Sequence, residues 1–143
     1  MLGGELVKRK IILASHGNLS NGLLDSAKMI IGNIPYEVET YSLVPGKLAE
    51  DYANELKIEI DANLDTEYII LTDLYGASVF TAMYALVERE NVRLFSGMNL
   101  NLLLAVCVEY PDKLMDEDVD QITKDAQRGL KHVSRVVEEE EDF

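Results

Sequence analysis

The chain has 143 residues, 48% of them hydrophobic and 27% charged, with a formal charge of −13 at pH 7. That length fits one domain with a substantial core, and that charge argues against nucleic acid and anionic lipid as partners. One cysteine, Cys107, excludes an intrachain disulfide and a thiolate zinc cluster, and the longest apolar runs, such as Leu102 to Val108, are far shorter than the ~20 residues of a membrane span. Met1 to Lys10 lacks the apolar core of a signal peptide. A cytoplasmic location without direct membrane insertion is therefore expected.

Taken in order, Lys10 to Ser15 predicts a buried strand, and Leu19, Leu23, Ala27, Ile30 and Ile31 predict a helix over Leu19 to Ile31. Gly32, Asn33 and Pro35 end that helix. Val38 to Leu43 reads as a second strand, and Pro45-Gly46 turns the chain into a helix over Lys47 to Asn63, with Leu48, Tyr52, Leu56 and Ile60 along one face. Tyr68 to Thr72 is a third strand, ending at Asp73. Ser78 is a candidate N-cap for a helix carrying Met83, Leu86 and Val87. Val92 to Ser96 forms a fourth strand, and Gly97 leads to a helix from near Asn99 to Tyr110, stopped by Pro111. Strands alternating with helices predict an α/β fold: a doubly wound, mainly parallel, flavodoxin-like sheet.

The end of the chain is less regular. Asp116 to Arg128 predicts a polar helix with a thin stripe of Val119, Ile122 and Ala126. Gly129 interrupts it, and Leu130 to Val137 reads as a strand or a further helical turn. The β-branched Val133, Val136 and Val137 favour the strand. The last 35 residues hold twelve acids against five bases, and Glu138 to Asp142 reads as a frayed tail. These readings divide the chain into an extension over 1–9, a single domain over 10–137 and an acidic tail over 138–143.

Two loop ends carry chemistry. His16 follows the first strand, where open α/β sheets bind ligands beyond the carboxyl ends of their strands. Asp73-Leu74-Tyr75-Gly76-Ala77-Ser78 follows the third, and a flavodoxin-like order makes these strands neighbours across the switch-point crevice. Asp73 is then placed to accept a hydrogen bond from one ring nitrogen of His16, leaving the other free as a nucleophile. The amides from Tyr75 to Ser78 lie at a helix N-terminus, a site suited to phosphate. The plainer alternatives are a histidine that packs or caps a loop and an aspartate that caps a turn.

Ala14-Ser15-His16-Gly17, Val44-Pro45-Gly46, Thr72-Asp73-Leu74-Tyr75-Gly76-Ala77-Ser78-Val79-Phe80 and Ser96-Gly97-Met98-Asn99-Leu100 resemble the signature blocks of a known family, in order and spacing, over roughly Lys10 to Val136. It is the mannose/fructose/sorbose-type IIA domain of the sugar phosphotransferase system. The resemblance implies a protein-histidine phosphotransferase in which His16 takes a phosphoryl group from the carrier HPr. It then passes the group to a IIB component for sugar uptake through the membrane components IIC and IID. Asp73 matches the carboxylate that orients the histidine, and Leu74, Tyr75, Gly76, Ala77 and Ser78 match the loop that holds the phosphoryl oxygens. No metal or other cofactor is implied. The family's fold adds an antiparallel strand exchanged across a homodimer, which assigns Leu130 to Val137 to a swapped C-terminal strand.

The chain departs from the family pattern at three positions. Ala77 replaces a glycine and is strained if that position needs a positive φ. Val79 replaces the proline favoured at the first helical position, and Asn101 also stands in place of a proline. Other candidates are secondary: His132 as a surface or interface residue, Tyr75 as a partner contact or loop packing, Asn99 as a helix cap, and Lys28 and Lys47 as contacts for an acidic partner. Cys107 reads as a small core residue.

Three further readings compete. A phosphocarrier subunit of a dihydroxyacetone kinase shares the fold. A histidine phosphatase also places His-Gly after its first strand, but needs an arginine where Ser15 stands. A receiver-like module phosphorylated on Asp73 needs an acidic pair where Ser15-His16 stands.

Overall fold

The computed structural model describes residues 6–135. Its first strand, β1 (Arg9–His16), is buried throughout except for its last residue, and its centre, Ile11–Ala14, reads as a continuous apolar run. Helix α1 (Leu19–Ile31), β2 (Glu37–Leu43), α2 (Ala49–Asp61), β3 (Glu67–Thr72) and α3 (Ser78–Tyr84) follow. A 3-10 turn at Ala85–Glu88 leads to β4 (Val92–Ser96), α4 (Leu100–Val108) and α5 (Asp116–Gln127). The four strands are parallel in the order β2-β1-β3-β4, so the expected doubly wound α/β sheet is present and β1 lies beside β3.

Alternation along β1 distributes the core. Ile11 and Leu13 pack with Ala27 of α1, Leu103 and Val106 of α4 and Ile122 of α5. Ile12 and Ala14 pack on the opposite face with Ala53, Leu56 and Ile60 of α2 and Val79 and Met83 of α3. Continued to the end of the strand, the same period of two sends Ser15 towards α1 and His16 towards α3.

Several element boundaries differ from the expectation; the third helix ends at Tyr84, and Leu86 and Val87 fall in the 3-10 turn after it. The second helix is shorter than Lys47 to Asn63; Leu48 is its exposed N-cap, and its buried stripe is Ala49, Ala53, Leu56 and Ile60. The fourth ends at Val108 rather than Tyr110, while at its start the Asn99 side chain caps it as expected, Oδ1 accepting from the Leu102 N–H at 2.8 Å. Residues 130–135 form no strand. Val136 and Val137, the rest of the expected swapped strand, lie outside the described residues, as does the acidic tail.

At the end of the sheet opposite His16, a buried ion pair joins the first and third strands. Arg9 Nε donates to Glu67 Oε1 at 2.7 Å, with side chains 0% and 4% exposed. Arg9 also donates to the carbonyls of Val106 (2.9 Å), Tyr110 (2.7 Å) and Asp112 (3.0 Å), while the Leu114 N–H donates to Glu67 Oε2 at 2.8 Å. One guanidinium thus ties β1 to β3, the end of α4 and the loop before α5. Arg9 is the first residue of the strand.

Candidate functional site

His16 lies two residues beyond Ala14, the last residue of β1 paired with β3, through Thr72. The residue after Thr72 is Asp73, and its carboxylate stands where a strand carbonyl would continue the ladder. The main-chain N–H of His16 donates to Asp73 Oδ2 at 2.7 Å, and the ring of the same residue meets the same oxygen, Nδ1 to Oδ2, at 2.8 Å. The other carboxylate oxygen accepts from the Leu74 N–H at 2.8 Å. Burial by itself raises the Asp73 carboxyl, but the hydrogen bonds from His16 and Leu74 outweigh it and hold the group below its usual range. The stabilisation these bonds give is therefore complete at neutral pH and is lost only as pH falls through that lowered value.

An ionised carboxylate accepts and does not donate. Nδ1 accordingly carries the proton of the neutral ring, and Nε2 is left with its lone pair. The side chain is 47% exposed, against 11% for Asp73, so the free nitrogen is the reachable one. Its protein neighbour is Ser78 Oγ at 3.2 Å. A bare ring nitrogen backed by a carboxylate is a nucleophile whose product cation is already compensated.

The structure revises the roles of the loop residues. Ala77, not Ser78, holds the N-cap position of α3; Ser78 is the first helical residue and points its hydroxyl at His16. Ala77 has φ −81° and ψ 178°, an extended conformation that any residue adopts, so alanine carries no strain there. The positive φ of the loop falls one residue earlier, at Gly76 (φ 83°). Val79 is the second helical residue and fully buried, where it packs the core on the α2 and α3 face. Asn101 stands exposed in the first turn of α4, beside Gly129.

Not all five amides of the loop are available. The Leu74 N–H is held by Asp73, and the Ala77 N–H donates to the Leu74 carbonyl at 3.2 Å. Those of Tyr75, Gly76 and Ser78 have no protein partner among the described residues. A groove of about 380 Å³ opens beside them, lined by Leu48, Ala49, Glu50, Gly76, Ser78, Thr81 and Ala82. Leu74 and Tyr75 of the same loop are exposed, the Tyr75 ring packed on Phe80 with centroids 4.8 Å apart. The Ser96–Leu100 block is anchored to the site from the other side, the Met98 N–H donating to the Thr72 carbonyl at 3.0 Å.

The secondary candidates separate cleanly. Lys47 is exposed in the loop after β2, at the same end of the sheet as His16. Lys28 is exposed in the last turn of α1, at the far end. His132 is exposed in the irregular segment 130–135, and Cys107 is buried, its thiol pushed up to about 11 by burial. Sequence reasoning missed the second grip of Asp73, on the His16 main chain. The signal for it was the two-residue overrun of β1 past β3, a matter of register that periodicity alone does not fix.

Residues 10–123 match the model of the phosphotransferase-system fructose IIA component family. The chain is 33% identical over 111 residues to a sorbose-specific EIIA component from Klebsiella pneumoniae, a match covering 77% of this chain and 80% of that one. Its fold is similar to that of a IIA protein associated with the fucose utilization operon of Streptococcus pneumoniae: 29% identity, TM-score 0.73, 90% of this chain and 95% of that one. It is likewise similar to the EIIA component of Streptococcus agalactiae: 28% identity, TM-score 0.73, 87% of this chain and 96% of that one. With the family model matched over residues 10–123, most of the chain, the chain belongs to the fructose/mannose/sorbose family of IIA components of the sugar phosphotransferase system.

Proposed function

We propose that the chain is a protein-histidine phosphotransferase, a cytoplasmic carrier that accepts a phosphoryl group from phospho-HPr on His16 and delivers it to a IIB component. The observation that carries this reading is the polarised ring: Nδ1 fixed at 2.8 Å from Asp73, Nε2 exposed beside Ser78. The Nε2 lone pair attacks phosphorus, the N–P bond of the donor histidine breaks, and its electron pair returns to the donor ring. The positive charge left on the phosphorylated His16 ring faces the Asp73 carboxylate through Nδ1–H. The Ser78 hydroxyl turns from Nε2 to a phosphoryl oxygen, joined by the free amides of Tyr75, Gly76 and Ser78. Delivery to the IIB component, which in turn supplies sugar uptake through IIC and IID, reverses these contacts.

Asp73 is the direct test. Asp73→Asn keeps the size but removes the charge that compensates the ring cation, and it leaves one accepting oxygen where Asp73 uses two. Single-turnover transfer from phospho-HPr is expected to slow more than about tenfold, ~1.4 kcal/mol or more on the barrier, with the fold retained. An unchanged rate would reduce Asp73 to a turn residue.

The working form is proposed to be a homodimer that uses the end of the domain. Leu130 and Val133 are 89% and 81% exposed in a segment with no strand partner among the described residues, and β4 pairs on one side only, with β3. An open edge and an apolar β-branched segment satisfy one another across a two-fold axis. Truncation after Arg128 is expected to lower both dimerisation and melting temperature, whereas removal of 138–143 changes neither. Sedimentation of the two truncations decides it: a dimer of unchanged stability after the longer cut rules out the exchanged strand.

A further inference from the structure

We propose that Ser15 is a positioning residue for His16, its hydroxyl locking the turn after β1 and so setting where the ring stands against Asp73. The inference deepens the reading of His16 as phosphoryl acceptor and rests on it. Ser15 is fully buried. Its Oγ donates to the Gly17 carbonyl at 3.2 Å and accepts from the Ser20 N–H at 2.9 Å, so both senses of the hydroxyl are in use.

The peptide groups beyond His16 are clamped from two sides. The Gly17 N–H donates to the Leu43 carbonyl at 2.8 Å, while Ser15 holds the Gly17 carbonyl. Gly17 itself sits at φ 58°, a conformation glycine reaches without strain. Ser20, whose N–H is held by Ser15, fastens the start of α1 to β2 by donating from Oγ to the Tyr41 carbonyl at 3.1 Å. These bonds fix the backbone on both sides of His16.

Fixing the backbone matters because the ring has little else. It is half exposed, and its side-chain partners are Asp73 and Ser78 alone among the described residues. Ser78 must release Nε2 when phosphorus arrives. The alternation of β1 puts Ser15 on the α1 face and His16 on the α3 face, so Ser15 touches neither the ring nor a phosphoryl group. It acts through the main chain. A displacement of about 1 Å at a reacting atom is enough to slow a positioned reaction by two orders of magnitude.

The test compares Ser15→Ala, Ser15→Cys and Ser15→Thr with the parent protein, by single-turnover transfer from phospho-HPr and by the ring ¹⁵N shifts of His16. The alanine variant is expected to transfer at least about tenfold more slowly, and the near-isosteric cysteine variant, with its weak donor, to fall between alanine and parent. Threonine, which keeps the hydroxyl on a residue suited to a strand, is expected to stay within about threefold of parent. In the alanine and cysteine variants the neutral ring is expected to move from the single Nδ1–H tautomer towards a mixture, which loss of stability alone does not produce. Parent-like transfer and tautomer in either variant overturns the proposal, as does a threonine variant as slow as alanine. If the parent itself takes no phosphoryl group, the carrier reading fails, while the ¹⁵N comparison still decides whether Ser15 positions the ring.

Discussion

Replacing His16 with alanine is expected to reduce phosphoryl acceptance to background. Incubation with phosphoenolpyruvate, enzyme I and HPr labels the parent protein and leaves His16→Ala unlabelled, because no other side chain offers a bare ring nitrogen beside a compensating carboxylate in this crevice. The change is local. His16 is half exposed and its main-chain N–H still reaches Asp73, so the loss is one partly exposed hydrogen bond to a carboxylate, on the order of 1 kcal/mol. Circular dichroism and a thermal melt of the unlabelled variant separate lost chemistry from lost fold. A label that survives the substitution removes His16 from the acceptor role.

The largest effect on stability is expected at the other end of the sheet. Glu67→Ala leaves the Arg9 guanidinium buried without its carboxylate and strips the Leu114 N–H of its acceptor. Removing one partner of a buried pair typically costs about 3–5 kcal/mol, here a fall in melting temperature on the order of 10 °C. Because Arg9 and Glu67 form one network, the double change to alanine should cost less than the sum of the single changes. A loss below about 1 kcal/mol in denaturant unfolding contradicts this account of the clasp. The residual folded protein should still accept phosphate, since the clasp and His16 lie at opposite ends of β1.

The parts legible from sequence were those governed by local period. The apolar run ending at His16, the strand ending at Asp73 and the helical spacing between them dictate a parallel α/β sheet. The rule for ligand sites in such sheets then places both residues at one crevice. What stayed hidden depends on contacts between distant segments. Arg9 and Glu67 are 58 residues apart, and a charge at the start of a strand looks the same whether it is solvated or buried. Ser78 looked like a cap because serine commonly is one; the loop instead places Ala77 in the cap position and leaves the hydroxyl free for His16. The sequence leaves open whether position 77 needs a positive φ; only the backbone path locates that conformation at Gly76 instead. The expectation of a strand over Leu130 to Val137 rests on Val133, Val136 and Val137, of which only Val133 lies among the described residues. A strand needs a neighbour, and residues 130–135 pair with none of the four described strands.

The most direct measurement is the chemistry of the adduct on the unaltered protein. Phospho-HPr is mixed with the chain in the presence of a chelator, and the product is characterised by ³¹P NMR, by its stability to acid and base, and by mapping of the modified residue. The expected product is a single N–P linkage at Nε2 of His16, labile in acid and stable in base, with Nδ1 still donating to Asp73. An acyl phosphate on Asp73, a phosphoserine at Ser78 or a phosphohistidine at His132 would contradict it.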